Sequence, residues 1–262
     1  MPARLSITVS KLSPSPWLSV IIPAYNEERR LPATLEKLQA YLSRQSFTYE
    51  IWVVDNGSTD RTADLVREYG RRFPAIRLAQ TPLRGKGIAV RTGMLRAAGR
   101  YRFFCDADLS MPVEEFERFY PPRLADADVA IGSREAKGAR RFDEPPYRHF
   151  TGRIFSLAVK LLILQGYEDT QCGFKCFRDA AAEDLFSRQR FNGWSFDVEV
   201  LYLARRRGYR IREVPISWYY QSDSRIRLVG DSLRMFTDLL RIRWNGMRGI
   251  YDRPNPQAIP KS

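Results

Sequence analysis

The runs LSVIIPA (18–24) and YEIWVVD (49–55) are short, apolar and rich in β-branched residues. Between them Leu31, Leu35, Leu38 and Leu42 recur at helical spacing, and Pro32 stands where a first helical turn tolerates proline. Strand, helix, strand is a βαβ unit, and a helical crossover lays its two strands parallel. The alternation continues with a helical pattern over about 59–72, a strand in AIRLAQ, a helix across GIAVRTGMLRAA, and strands in YRFFCDAD and ADVAIGS. The expected fold class is α/β, a mostly parallel sheet with helices on both faces.

Ligands of such sheets gather at the carboxyl ends of the strands. Those ends read PAYNEE, DNGSTD, TPLRGKG, DADLS and GSRE, each polar or flexible. Beyond Arg134 the charged, proline-containing loop KGARRFDEPPYRH reads as a mobile connection. A helix, the turn EDTQCGFKCF, a helix over WSFDVEVLYLARRRG and a strand in IREVPISWYY follow. With 262 residues the chain can bury a full core. The expected organisation is a leader at 1–16, a catalytic domain at 17–228, an amphipathic helix at 229–250 and a tail at 251–262.

Three cysteines, an odd number, and a single histidine, His149, favour neither a disulfide framework nor a zinc site, and a reducing cytosol fits best. Cys172 and Cys176 read as buried small hydrophobes. No apolar run approaches the ~20 residues of a membrane span. The net charge of +13 asks for an anionic partner, and twelve arginines against five acids between Tyr202 and Arg253 carry about half of it. A nucleic-acid-binding protein would suit that charge, but no DNA- or RNA-reading motif is present, so nucleic acid is not the expected partner.

In FCDADLS (104–110) strand alternation would turn Asp106 and Asp108 to one face, where two carboxylates can meet a hard cation such as Mg²⁺ or Mn²⁺. Ser110 would share that face if the strand continued. Asp108 or Ser110 could instead cap the helix that starts near Pro112. Asp55 can accept from the imide N–H of a uracil or the amine edge of a guanine. LRGKG offers glycines for close backbone approach and Lys86 as a point charge for phosphate, without the spacing of a P-loop.

Taken together and in order, IIPAYNEE, VVDNGSTD, GKG and DADLS resemble the family 2 inverting glycosyltransferases, which use nucleotide-diphosphate sugars. GSRE, DTQCGFKCF and GWSFDVEVLYLARRRGYRIREVPISW resemble the polyprenyl-phosphate members of that family, most closely the dolichyl-phosphate β-glucosyltransferase group. The likeness runs from about Leu18 to Trp244. It implies a GT-A-type, Rossmann-like nucleotide-binding sheet. Pro23, Ala24, Tyr25 and Glu27 match the first nucleotide-binding loop, and Asp55 matches the base-reading carboxylate. Asp106 matches the acid near ribose and phosphates, with Ala107 beside it, and Asp108 matches the metal ligand. Related mannosyltransferases have Gln where this chain has Ser110, a third candidate ligand. Arg134 matches an arginine that faces the phosphates of donor or acceptor, and Lys175 a basic position on the acceptor side. Asp197 stands where many members carry a catalytic base, and Asp169 is the second candidate.

The resemblance implies metal-dependent, inverting transfer of a hexose, with UDP-glucose the first expected donor and a polyprenyl phosphate the acceptor. GDP-mannose as donor, or a polysaccharide acceptor, is the alternative within the same fold. A lipid acceptor and the absent spans imply peripheral attachment to an anionic membrane at its cytoplasmic face. Near the end of the sequence Leu233, Phe236, Leu240, Trp244 and Met247 recur at spacings of three and four, with Arg234, Arg241 and Arg248 on another face. That helix either packs on the sheet or lies in a bilayer interface, where the 147–165 region could join it.

Overall fold

The computed structural model describes residues 15–145, 153, 156–221 and 228–257, with side chains from 234 onward in the last stretch. Most of the expected leader, Tyr147, His149, the Leu233 side chain and residues 258–262 lie outside the described residues. The elements in chain order are β1 (Leu18–Ala24), α1 (Leu31–Leu42), β2 (Tyr49–Asp55), α2 (Thr62–Arg72), β3 (Ile76–Gln80), α3 (Lys86–Arg96) and β4 (Tyr101–Cys105). A 3-10 helix (Val113–Phe119), β5 (Val129–Ser133), β6 (Arg140–Phe142) and the helical stretch α4 (156–162) follow. Then come β7 (Phe174–Arg178), α5 (Asp179–Arg188), α6 (Phe196–Arg206), β8 (Ile211–Pro215), β9 (Ser217–Tyr219) and α7 (Leu228–Met247).

Seven strands form one sheet in the order β3-β2-β1-β4-β7-β5-β8, and β6 pairs with β9 in a small second sheet. Parallel register sets Ala24 beside Asp55 and Asp55 beside Gln80, while Ile21 pairs with Phe104. The ends of β1 to β4 therefore share one edge. Alternation along each strand divides the core: Val20 and Ile22 face the leucine stripe of α1, and Ile21 faces α3 and the helices beyond it.

β7 departs from the expectation. FKCFR is a central strand rather than a turn, antiparallel to both neighbours, with Cys105 opposite Phe174 and Ile131 opposite Lys175. Its direction delivers Cys172 and Gly173 to the edge where β4 ends. IREVPISWYY is likewise not one strand: β8 stays in the main sheet, and β9 leaves it to pair with β6.

The helix expected near Pro112 is a 3-10 helix with Pro112 itself at the cap position and no side-chain cap, so neither Asp108 nor Ser110 caps it. α7 presents two apolar faces. Met235, Leu239 and Ile242 are buried, whereas the stripe picked out by spacing lies outward, with Phe236 43%, Leu240 49%, Trp244 56% and Met247 65% exposed.

Candidate active site

A cavity of about 580 Å³ opens over the carboxyl ends of β1, β2 and β4, and Pro23, Ala24, Tyr25, Glu27, Lys86, Asp106, Ala107, Asp108 and Ser110 all reach its wall. β4 stops at Cys105, and the chain turns through 106–110, so strand alternation does not place the two aspartates. The turn is fixed locally. Thr34 Oγ1 of α1 donates to the Ala107 carbonyl at 2.6 Å, Leu109 N donates to Asp106 O at 3.2 Å, and Leu109 takes a left-handed φ of 43°. Ser110 donates to Asp108 Oδ1 twice, from its backbone N at 3.2 Å and its hydroxyl at 2.8 Å. Ser110 therefore orients Asp108, and the turn, not a shared strand face, sets where both stand.

Lys86, the first residue of α3, sets its ammonium 2.6 Å from Asp106 Oδ1. Burial disfavours its charge, but the carboxylates of Asp106, Asp197 and Asp108 together outweigh burial and hold its pKa above the usual lysine value. Asp108 is pushed upward, first by burial and then by the charge of Asp106, against pulls from Ser110, Arg30 and Lys86. Two mutually repelling carboxylates at a cavity wall fit a hard divalent cation such as Mg²⁺ or Mn²⁺, which completes its shell from phosphate oxygens and water. Among the described residues no group of three or more His, Cys, Asp or Glu is placed to hold a metal.

The glycines of the site serve the chain's own packing. A Cβ on Gly173, just before β7, would lie 1.9 Å from Asp106 Oδ2, so glycine lets the chain pass behind that carboxylate without displacing it. Gly85, at φ +136°, would put a Cβ 2.1 Å from the Asn192 carbonyl, so the RGKG turn is pressed against residues 191–193.

That second segment is held from below by a buried acid. Glu199 of α6 accepts from the backbone N–H of Arg190 at 2.9 Å and of Phe191 at 2.9 Å. Burial pushes its carboxyl up to about 7 against those hydrogen bonds. Arg190 in turn reaches the carbonyls of Ile250, Arg253 and Pro254, and the Asn255 amide donates to Gln189 O at 2.7 Å.

Several expected residues sit differently from the sequence reading. Lys175 is buried and absent from the cavity wall; its ammonium bonds Asp197 Oδ1 and the Cys172 carbonyl, both at 2.6 Å. Lys175 thus stands behind Asp197 and not on the cavity wall. Asp197 does line the cavity, and burial raises its carboxyl despite the opposing charges of Lys175 and Lys86. Asp169 also lines the cavity but is clamped by Arg134, with Nε at 2.6 Å, Nη2 at 3.0 Å and the backbone N at 3.0 Å. Burial opposes the charge, yet Arg134 wins and holds Asp169 at about 2, which makes it a poor base. Asp55 lies behind the wall, accepting from Ser58 N and Gln80 Nε2, each at 3.1 Å. Its neighbour Asn56 reaches the cavity, and the buried Asn56 Oδ1 has no hydrogen-bond partner among the described residues.

Four contributors went unread in the sequence. Arg30 lies on the wall, held at 2.7 Å by each oxygen of Glu27, a pair whose spacing of three on an incipient helix was a readable signal. Asn56 stood next to a more conspicuous acid, and Gly173 between two cysteines that drew the reading. Trp218, carried in by β9 with the Arg134 and Arg141 guanidiniums 5.3 and 5.9 Å from its ring centre, had no sequence signal.

Comparison with known proteins agrees with this geometry. The profile described as Glycosyl transferase family 2 matches residues 19–186. A dolichyl-phosphate beta-glucosyltransferase of Trichomonas vaginalis is 36% identical over 258 residues, covering 94% of this chain and 76% of that protein. The protein of that name from Saccharomyces cerevisiae is 34% identical over 257 residues, 90% of this chain and 76% of its own length. The crystal structure of glucosyl-3-phosphoglycerate synthase from Mycobacterium tuberculosis with Mn²⁺, UDP-glucose and phosphoglyceric acid superposes with a TM-score of 0.63 at 16% identity, covering 94% of this chain and 88% of that one. That last likeness is one of fold.

Proposed function

The chain belongs to glycosyl transferase family 2, and from that premise we propose that it moves glucose from UDP-glucose to a dolichyl-type polyprenyl phosphate, working peripherally at the cytoplasmic face of an anionic membrane. The observation that carries the reading is the convergence of Asp106, Asp108 and Lys86 with Asp197 on one cavity at the strand ends, together with relatives whose names state that reaction. Among the described residues no helix is long and apolar enough to cross a membrane.

The donor's uracil belongs at the end of β2. There Asn56 lines the cavity and Asp55, bonded to Ser58 and Gln80, ends the strand beside it, and these two polar side chains are the candidates to meet the imide N–H. The diphosphate belongs beside Lys86, whose charge the surrounding carboxylates sustain. Asp106 and Asp108 would hold Mg²⁺ or Mn²⁺, which when bound supplies Lewis-acid stabilisation of the departing nucleotide diphosphate.

An acceptor phosphate attacks the anomeric carbon as the bond to the donor phosphate breaks, and a single displacement inverts that centre. Arg134 is suited to orient the acceptor: Asp169 grips Nε and Nη2, which fixes the guanidinium plane and leaves Nη1 as the remaining nitrogen of the fork. A phosphate monoester is largely dianionic at neutral pH, with its second pKa near ~6. In this reading Asp197, raised by burial and held by Lys175, takes the proton of the monoanionic fraction.

The test is transfer of radiolabelled glucose to a polyprenyl phosphate, with partition of the product into organic solvent. Label that stays wholly aqueous overturns the acceptor. A thermal-shift screen of UDP-glucose against UDP-galactose, UDP-N-acetylglucosamine and GDP-mannose, with and without Mn²⁺, checks the donor. A donor at 100 times its dissociation constant should add about 2.7 kcal/mol.

A further inference from the structure

Resting on the reading that the acceptor is a membrane lipid, we propose that the second apolar face of α7, together with the exposed leucines of α4, is the surface on which this protein docks onto an anionic bilayer. The sequence leaves open whether the stripe Phe236, Leu240, Trp244, Met247 is core or surface. The structure assigns the core contact to Met235, Leu239 and Ile242 on a different side of the same helix and leaves the stripe in solvent. A helix that has already satisfied its packing and still shows four large apolar side chains on a second face has one face more than its fold uses.

The patch extends onto a neighbour. Arg243 of α7 donates to the Leu162 carbonyl at 2.9 Å, which draws the end of α4 beside α7, and Leu157 and Leu161 of α4 are 56% and 68% exposed. Two helices thus contribute to one apolar surface with Arg243 between them.

Charge selects the occupant. From Asp238 to Tyr251 the sequence has Arg241, Arg243 and Arg248 against one acid, Asp238, which is buried, accepts from Ser195 and lies 3.7 Å from Arg241. The Arg248 guanidinium lies 5.7 Å from the Trp244 ring centre, at the edge of the apolar face. A groove beside Leu161 is lined by Arg205, Arg206 and Arg243. Aromatic and aliphatic side chains bordered by arginines match the acyl and headgroup layers of an anionic leaflet. The same borders would repel a second copy of this chain. Position agrees as well: Ser156 of α4 and Met235 of α7 both line the catalytic cavity, so the two helices that carry the docking surface also border the cavity.

Flotation of the full-length protein with phosphatidylcholine vesicles, and with vesicles containing 30% phosphatidylglycerol, tests this. Wild type should float with the anionic vesicles and remain below with the neutral ones. Leu240→Ser/Trp244→Ser should lose flotation with the anionic vesicles and stay below with both kinds. Arg241→Gln/Arg248→Gln should weaken it on anionic vesicles about 30-fold, two steps of ~1 kcal/mol each. None of these residues lines the cavity, so all variants should keep wild-type thermal stabilisation by UDP-glucose, which also shows that they fold. Flotation of the apolar variant equal to wild type overturns the surface, and so does a wild-type dimer that this variant converts to monomer. If vesicle binding follows the pattern but no glucose reaches lipid, the acceptor assignment fails and the docking surface stands.

Discussion

Glu199→Gln gives the strongest quantitative test of how the site is built. Glu199 is fully buried and its carboxyl is pushed up from 4.5 to about 7 by burial, against hydrogen bonds from the Arg190 and Phe191 backbones. In the unfolded chain it titrates at its ordinary value, so between about 4.5 and 7 the folded protein binds the proton and the unfolded chain does not. Stability must therefore fall as pH rises through that window. A displacement of 2.5 pH units corresponds to a loss of about 3 kcal/mol at ~1.36 kcal/mol per unit. The glutamine variant carries no such titration. It keeps one acceptor for the two N–H groups, so it starts with a constant deficit of ~1 kcal/mol. Urea unfolding of both proteins from pH 4 to pH 9 isolates the effect, because Asp108 and Asp197 titrate in both and cancel in the difference. The wild-type advantage at pH 4 should shrink and reverse by pH 8. A difference that stays flat with pH would falsify the assignment of Glu199 as a strained, buried acid beneath the 190–193 segment.

Gly173→Ala should displace the Asp106 carboxylate, since the new methyl would stand 1.9 Å from it; a loss of roughly 100-fold in kcat is expected for a shift near 1 Å, and an unimpaired variant would show that Asp106 does not need that position. Lys175→Met leaves Asp197 buried without its cation, at a cost of about 3–5 kcal/mol; thermal melting checks this, and an unchanged Tm would contradict the pairing. Asp197→Asn should lower turnover most at pH below ~6, where the acceptor phosphate retains a proton, and full turnover at every pH with donor bound would remove it from the mechanism. Chelation of divalent metal should abolish most of the thermal stabilisation by donor, with Mn²⁺ restoring it, and donor stabilisation unaffected by chelator would argue against the Asp106–Asp108 site.

The parts of this protein legible in the sequence are those that local pattern determines. Parallel strands announced themselves through β-branched runs joined by leucine stripes, and the strand ends that carry Tyr25, Lys86 and Asp106 followed directly. β7 was hidden because five residues, FKCFR, are too few for periodicity to separate a central strand from a turn, and its antiparallel placement depends on partners distant in sequence. Lys175 looked like an acceptor-side cation because a sequence shows charge and not burial; only folding reveals that its partner, Asp197, lies 2.6 Å away. Which of the adjacent Asp55 and Asn56 reaches the cavity wall was illegible for a similar reason, since that is settled by a turn geometry that spacing does not encode. For α7, spacing found a real apolar stripe, but a helix apolar on two sides gives no indication of which side the core will choose.

The clamp made by residues 250–257 bears on when the protein becomes competent during its synthesis. β8 ends at Pro215, so every strand of the main sheet has been made about forty residues before Asn255. At that stage Arg190 lacks the carbonyls of Ile250, Arg253 and Pro254, and Gln189 lacks the Asn255 amide. The 191–193 segment that presses on the Lys86 turn is therefore among the last parts to be secured. A ribosome-bound chain would thus complete its sheet before it could secure the segment that backs the Lys86 turn.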